Sequence, residues 1–131
     1  MPKLRNKHGP EYYLQGKIVK RLIEVGWHVE RVIGNALQKG LPDLMAMHPR
    51  YGIRLIDVKN PGSYSFTRAQ KVKWPVFHSY GGGVYILTSP DEVDLLLGSP
   101  NWLDYWKTSW GDPFESLEDR VDQLLDELEY E

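Results

Sequence analysis

Two short runs of strand-forming residues, separated by a turn, place the strongest constraint on the fold of this chain. Residues 43–48 and 53–59 flank a turn at 49–52, where a proline and a glycine favour reversal of the chain. The pattern predicts a β-hairpin. Each strand carries an acid, with Asp43 at the start of the first and Asp57 near the end of the second.

Helical and strand patterns on either side of the hairpin complete the predicted order of elements. An apolar stripe with the spacing of an amphipathic helix covers residues 10–25. It consists of Leu14, Ile18, Leu22 and Val25. The other predictions are strands at 27–33 and 84–88, a helix at 67–80 that Pro75 interrupts or kinks, and a short helix at 90–97. The order α-β-β-β-α-β predicts an α/β protein whose mixed sheet is flanked by helices.

Length and composition limit the class of protein. A chain of 131 residues is expected to form one domain with its own core. It contains no cysteine, which excludes disulfides and thiolate metal sites. The basic start leads into no apolar run, and no apolar segment approaches the roughly 20 residues that cross a bilayer. A cytoplasmic location is therefore expected.

Charge is distributed unevenly along the chain. The formal net charge is −2, but residues 111–131 carry nine acids and only one base. Residues 1–110 carry fifteen bases and nine acids, so a basic body precedes an acidic tail. A basic surface is what binding to a phosphate backbone requires.

The hairpin brings two acids and a lysine together. Side chains alternate between the faces of a strand, so Asp57 and Lys59 point to one side and Val58 to the other. Asp43 lies within reach on the neighbouring strand. Two carboxylates suit Mg²⁺, which neutralises phosphodiester charge and acidifies a water, while the lysine orients that water or stabilises developing charge. A solvated ion pair on an edge strand is the alternative for Asp57 and Lys59.

Two side chains from the predicted helices extend this set. Glu11 adds a carboxylate, one turn before Gln15, and Gln70 opens the second helix soon after the hairpin. Each has a structural alternative. Glu11 also suits the helix macrodipole, and Gln70 completes a capping box that begins at Thr67. Asp43 likewise suits the turn that precedes its strand.

The ordered motifs resemble the PD-(D/E)xK nuclease superfamily, and most closely its virus-type replication-repair nuclease (VRR-Nuc) family. The matching pieces are Glu11 with Gln15, Gly34-Asn35, Lys39-Gly40-Leu41-Pro42-Asp43-Leu44, Ile56-Asp57-Val58-Lys59, Gln70 followed by Trp74, and Gly83-Val84. They span about two thirds of the chain. The resemblance implies a restriction-endonuclease-like nuclease domain over residues 1–100, with a Trp-rich segment and an acidic C-terminal helix over 101–131 packed on the same domain.

The resemblance also implies roles for individual residues. Metal binding falls to Asp43, Asp57, Glu11 and Val58, and catalysis to Glu11, Asp43, Asp57, Lys59 and Gln70. It implies a stand-alone nuclease that recognises DNA structure, with dimers acting on branched DNA such as four-way junctions. One departure is Asp57, where the family commonly has glutamate, so the bound metal would shift by about one methylene.

Basic side chains flank the predicted site on both helices and are the candidates for DNA contact. They are Lys17, Lys20, Arg21, Arg68, Lys71 and Lys73. An ordinary solvated helix face is the alternative for any one of them.

The C-terminal segment carries two further patterns. Four aromatic residues predict a helical or turn-rich patch packed on the core rather than a base-stacking platform: Trp102, Tyr105, Trp106 and Trp110. An apolar seam on an acidic helix over 115–130 is formed by Leu117, Val121, Leu124 and Leu128. Capping of the fold and self-association both stay open for that helix, with competition against DNA as a third option.

These observations predict a Mg²⁺-dependent DNA endonuclease, with Mn²⁺ as a second possible cofactor. The family resemblance implies a homodimer that acts on branched DNA, and no membrane partner is expected. Linear duplex or flap DNA is the alternative substrate. Two other classes stay open: a DNA-binding protein that keeps the fold without cleaving, and a purely structural interaction module. The acid-acid-lysine set argues against both, because carboxylates repel a phosphate that is only bound.

Overall fold

A computed structural model of the protein describes residues 9–32, 39–62 and 64–106, together with 125, 126 and 128. The core elements occur in the predicted order. They are α1 (Pro10–Glu24), β1 (His28–Arg31), β2 (Leu44–His48), β3 (Gly52–Val58), α2 (Arg68–Ser79), β4 (Val84–Leu87), a 3-10 helix (Pro90–Leu97) and α3 (Trp102–Trp106).

The four strands form one mixed sheet in the order β1-β2-β3-β4. β1 pairs with β2 and β2 with β3 in antiparallel fashion, and β4 pairs with β3 in parallel. Strands β2 and β3 are the predicted hairpin, and their register pairs Leu44 with Ile56. This pairing stops beside Asp43 and Asp57, so both acids lie at the same end of the hairpin.

Different helices cover the two faces of the sheet. One core cluster packs α1 and the 3-10 helix against the face that carries Ile56 and Val58. A second cluster, rich in tryptophan, includes residues of α2 and α3 and the alternate side chains of β4. Because side chains alternate along β3, Asp57 points away from the first cluster and toward the side of α2.

The side chain of Asn101 covers the outer edge of β4. It accepts the N–H of Ile86 at 2.6 Å and donates to the carbonyl of the same residue at 3.0 Å. The amide thereby replaces a strand neighbour and satisfies both backbone groups. That position on the edge is closed to another strand.

The structure corrects several details of the predicted elements. Val25 is 37% exposed rather than part of a buried stripe, because α1 ends at Glu24. Pro75 does not interrupt α2, which runs from Arg68 to Ser79. The one backbone hydrogen bond that proline removes is outweighed by the burial of this helix. The short helix predicted at 90–97 is confirmed with those bounds, and it is of the 3-10 type.

The C-terminal segment packs on the core as far as the structure follows it continuously. Trp102 and Trp106 are buried, and both rings contact Trp74, which confirms their predicted core position. Trp110 and most of the acidic helix predicted over 115–130 lie outside the described residues. Across the described ranges, no helix is long and apolar enough to cross a membrane.

Candidate active site

A cleft of about 410 Å³ opens at the end of the hairpin where β2 and β3 stop pairing. Its walls are the start of α1, the end of β3 and the segment that leads into α2. The lining residues are Pro10, Glu11, Asp43, Asp57, Val58, Lys59, Asn60, Tyr64, Ser65, Thr67 and Gln70. Every residue predicted to be catalytic or to bind metal lies on this one cleft. Gln15, one turn beyond Glu11, is not among the residues that line it.

Asp43 is held by the strand beside it. Its Oδ2 accepts the backbone N–H of Val58 at 2.8 Å, and its carbonyl accepts the N–H of Val32 at 2.8 Å. The Val58 N–H lies beyond the last β2–β3 pair, so the carboxylate takes the place of a strand acceptor. Burial raises the pKa of Asp43, although the bond from Val58 and the charge of Lys59 oppose this shift. The turn that precedes β2 thus fixes a carboxylate on the cleft.

Helix α2 holds the loop that leads to Asp43. Nζ of Lys73 donates to the carbonyl of Lys39, and Nε1 of Trp74 donates to the carbonyl of Gly40 at 2.8 Å. Gly40 has a φ of +84°, and a Cβ there would lie 2.8 Å from the backbone of Ala69. Only glycine therefore allows this close approach of loop and helix. Neither side-chain bond to the loop was predicted from the sequence.

The two oxygens of Asp57 have different surroundings. The residue is 1% exposed, and its Oδ2 lies 3.0 Å from Nζ of Lys59. Its Oδ1 is buried and meets no N–H or O–H donor among the described residues, although the carboxyl groups of Asp57 and Asp43 share a hydrogen bond when one of them is protonated. Burial raises the pKa of Asp57 from 3.8 to about 7, with the Asp43 carboxylate adding to the shift and Lys59 opposing it. A cation at Oδ1 would remove the cost of this unpaired oxygen.

The ammonium of Lys59 has three acceptors for its three protons. They are Oδ2 of Asp57 at 3.0 Å, the carbonyl of Ser65 at 2.9 Å and Oε1 of Gln70 at 3.2 Å. Nζ also lies 4.9 Å from the ring centroid of Phe66. The lysine is buried in a fixed position on the cleft rather than extended into solvent.

Gln70 forms the predicted capping box and also lies on the cleft, so the structure brings together the two positions that the sequence left open. Its backbone N–H donates to Oγ1 of Thr67, and its Oε1 accepts the N–H of Thr67 at 3.0 Å, which confirms the capping box. The same Oε1 accepts the bond from Lys59. One side chain therefore caps α2 and contacts the lysine of the cleft. Because one oxygen serves both contacts, the sequence alternatives do not exclude each other.

Glu11 lies in the first turn of α1 and faces the cleft. Burial raises the pKa of this carboxyl group, and the nearby Asp43 charge adds to the effect. The N-cap residue Gly9 provides no side-chain hydrogen bond to the helix. An acid in the first turn is favourable for the helix dipole in this position, so Glu11 suits both of its predicted functions.

The charges and donors of the cleft fit a divalent cation. Glu11, Asp43 and Asp57 bring three carboxylates, and Lys59 brings one ammonium. In the described parts of the chain, no three His, Asp or Glu side chains converge closely enough to enclose an ion by themselves. Mg²⁺ commonly takes one or two carboxylates and completes its octahedron with water. Asp43 and Asp57 satisfy that requirement, whereas no cage of three carboxylates forms among the residues that the structure describes.

The six basic residues predicted to contact DNA differ in how far their side chains are exposed. Exposed side chains are those of Lys17, Lys20, Arg21 and Arg68, and Lys71 is half-buried. Lys73 differs from the prediction, because it is 7% exposed and its ammonium is bonded to the Lys39 carbonyl. It therefore supports the loop before Asp43 instead of facing solvent.

Of three comparisons with known proteins, the one with solved structures finds a similar fold. No family model matches the chain, and no curated protein matches it. A solved structure described as a VRR_NUC domain matches with a TM-score of 0.55 and 25% sequence identity, over 66% of this chain and 92% of that one. The match places the protein in the class of restriction-endonuclease-like α/β folds. Within that class, it confirms the resemblance to the VRR-Nuc family, and the fold is that of a nuclease.

Proposed function

We propose that this protein is a Mg²⁺-dependent endonuclease that hydrolyses phosphodiester bonds in DNA, with Mn²⁺ as an alternative cofactor. The observation that carries the proposal is Asp57, with one carboxylate oxygen on Lys59 and the other buried without a donor. A protein that only bound DNA would gain nothing from this group. A buried unpaired oxygen costs stability, and its charge repels phosphate.

Asp43 and Asp57 would hold the ion, with Glu11 and Val58 beside them on the cleft. When bound, the ion supplies charge neutralisation for the phosphate and acidity for a water. The overall reaction adds water across a P–O bond and yields a phosphate monoester and a sugar hydroxyl. The residues of the chain orient these groups and stabilise the charge that develops on the phosphate oxygens.

Lys59 must exchange one of its acceptors before it can donate to the substrate or to the attacking water. The contact with Gln70 is its longest, at 3.2 Å. Release of this bond leaves Gln70 Oε1 with the N–H of Thr67 at 3.0 Å, so no buried acceptor loses its last donor. Gln70 is therefore the acceptor that Lys59 gives up most easily, and the capping box remains intact.

Branched DNA, such as a four-way junction, is the proposed substrate, and a homodimer is the proposed acting form. Both proposals follow from the resemblance to the VRR-Nuc family. Lys17 and Lys20 are exposed on α1, which also carries Glu11, and are available for contact with a DNA backbone.

Cleavage of labelled linear duplex, flap and four-way-junction DNA in Mg²⁺, Mn²⁺ or EDTA tests the proposal. Asp57→Asn and Lys59→Met keep the approximate size of two buried side chains, so they test chemistry with little change in packing. Metal-dependent products and a loss of about 10²–10³-fold in both variants are expected. Asp94→Asn, on the exposed side of the 3-10 helix, is the charge control and should cleave normally.

Cleavage in EDTA, or wild-type rates in both site variants, would contradict the proposed chemistry. Tight junction binding by a wild-type protein that yields no product with either metal would favour the non-cleaving alternative. Equal rates on all three DNAs would contradict the preference for a branch.

A further inference from the structure

Tyr64 forms a wall of the cleft that the proposed chemistry does not use. The residue is 39% exposed and lines the cleft beside Ser65. Its ring meets Phe66 at 76° and Tyr105 at 78°, with centroids 5.9 Å and 5.5 Å apart. Both contacts are close to perpendicular, so neither neighbour lies parallel to the Tyr64 ring.

The backbone links this aromatic wall to the lysine of the cleft. The carbonyl of Ser65, the next residue, accepts the bond from Lys59 Nζ at 2.9 Å. The following ring, Phe66, lies 4.9 Å from the same ammonium. Residues 64–66 therefore carry an exposed ring and also contact the lysine of the cleft, close to where a reacting phosphate would lie.

We infer that Tyr64 stacks on a nucleobase that is unpaired or unstacked next to the scissile phosphate. The inference rests on the proposed nuclease function and specifies its substrate class. Bases are the flat apolar surfaces of a nucleic acid, and within an intact duplex neighbouring base pairs cover both faces of each base. The ring therefore favours a branch point, a flap or an end over a continuous duplex.

Stacking also supplies attraction that the rest of the cleft lacks. Three carboxylates and one ammonium repel a phosphate until a cation is present. Contact between an aromatic ring and a base does not depend on that charge. Tyr64 thus provides a contact that operates before the cation binds, and this contact is measurable in EDTA.

A flap DNA with 2-aminopurine at the branch nucleotide reports this contact directly, because stacking quenches its fluorescence. Titrations in EDTA prevent cleavage and compare wild type, Tyr64→Phe and Tyr64→Ala. Wild type and Tyr64→Phe should quench equally and bind within about twofold of each other. Tyr64→Ala should lose the quenching and bind about 5- to 100-fold more weakly. Tyr80→Ala is the matched control, since Tyr80 is 84% exposed and lies outside the cleft.

Unchanged quenching and affinity in Tyr64→Ala would overturn the inference, as would a failure of wild type to bind the flap. An equal loss of affinity on a continuous duplex would also overturn it, because that result indicates contact with the backbone. Thermal melting checks the fold of Tyr64→Ala. If that variant is unfolded, Tyr64→Leu, which keeps apolar bulk without an aromatic face, decides in its place. All readouts are binding readouts, so absence of cleavage by wild type would refute the nuclease proposal separately.

Discussion

At the scale of single residues, Asp57 shows how a site suited to a cation is costly without one. Its carboxylate is buried, shares one lysine with two other acceptors and leaves one oxygen without a donor among the described residues. Lys59 compensates only part of the burial cost, because the pKa of Asp57 remains raised. A bound cation would recover this free energy of folding, because it would neutralise the buried carboxylate.

Asp57→Asn is therefore expected to stabilise the metal-free protein at neutral and alkaline pH. The pKa of Asp57 is about 7 in the fold against an ordinary value of 3.8, so the folded state holds this proton more tightly than the unfolded chain. The free energy of unfolding consequently falls as pH rises between these values and stays lower above them. The amide removes this loss, worth roughly 1–4 kcal/mol at pH 8, and still accepts a bond from Lys59.

Urea unfolding in EDTA, at about pH 5 and pH 8, measures the effect. The gain in Asp57→Asn should be larger at the higher pH, and Asp94→Asn, in an exposed position, should show no such trend. A gain that is independent of pH, or a loss at pH 8, would mean that the carboxylate is not the source of the instability.

At the scale of elements, α2 organises the site. Its first turn caps itself through Thr67 and Gln70, and Gln70 also contacts Lys59. Its second turn bonds the loop before Asp43 through Lys73 and Trp74. The helix therefore sets the positions of side chains that arrive from the two strands of the hairpin.

Thr67→Ala and Gln70→Ala separate the two functions of this first turn. Both remove half of the capping box, so each should lower the free energy of unfolding by about 0.5–2 kcal/mol. Only Gln70→Ala also removes an acceptor of Lys59, and it should alter kcat and its pH profile while Thr67→Ala leaves both close to wild type. Melting curves and single-turnover cleavage give the two quantities. Identical kinetics in the two variants would show that Gln70 acts on the helix alone.

The same elements show which features were predictable from the sequence. Alternation along a strand correctly placed Asp57 and Lys59 on one side, and the turn between β2 and β3 brought Asp43 to the same end of the hairpin. These are local patterns with a fixed period. Long-range contacts have no such period. Lys73 bonds the carbonyl of Lys39, 34 positions away, and Asn101 bonds the backbone of Ile86, 15 positions away.

At the scale of the whole molecule, the net charge of −2 conceals a basic body, and the structure limits which of its charges face solvent. Lys17 and Lys20 are exposed on α1, whereas Lys73 is buried against the Lys39 carbonyl. A count of basic residues in the sequence does not distinguish these three lysines. Only the exposed ones are positioned to displace counterions from a phosphate backbone.

Salt titrations of DNA binding therefore distinguish two lysines that the sequence did not. Lys20→Gln should reduce the slope of log affinity against log salt by about 0.9, between roughly 50 and 200 mM salt in EDTA, and should leave the melting temperature unchanged. Lys73→Gln should keep the wild-type slope but lower the free energy of unfolding by about 1–3 kcal/mol, because the shorter, uncharged amide replaces the ammonium that donates to the Lys39 carbonyl. Anisotropy of a labelled junction and urea unfolding supply the two measurements. A reduced slope in Lys73→Gln would place that ammonium on DNA. An unchanged slope in Lys20→Gln would show that this position on α1 is not part of the DNA-binding surface.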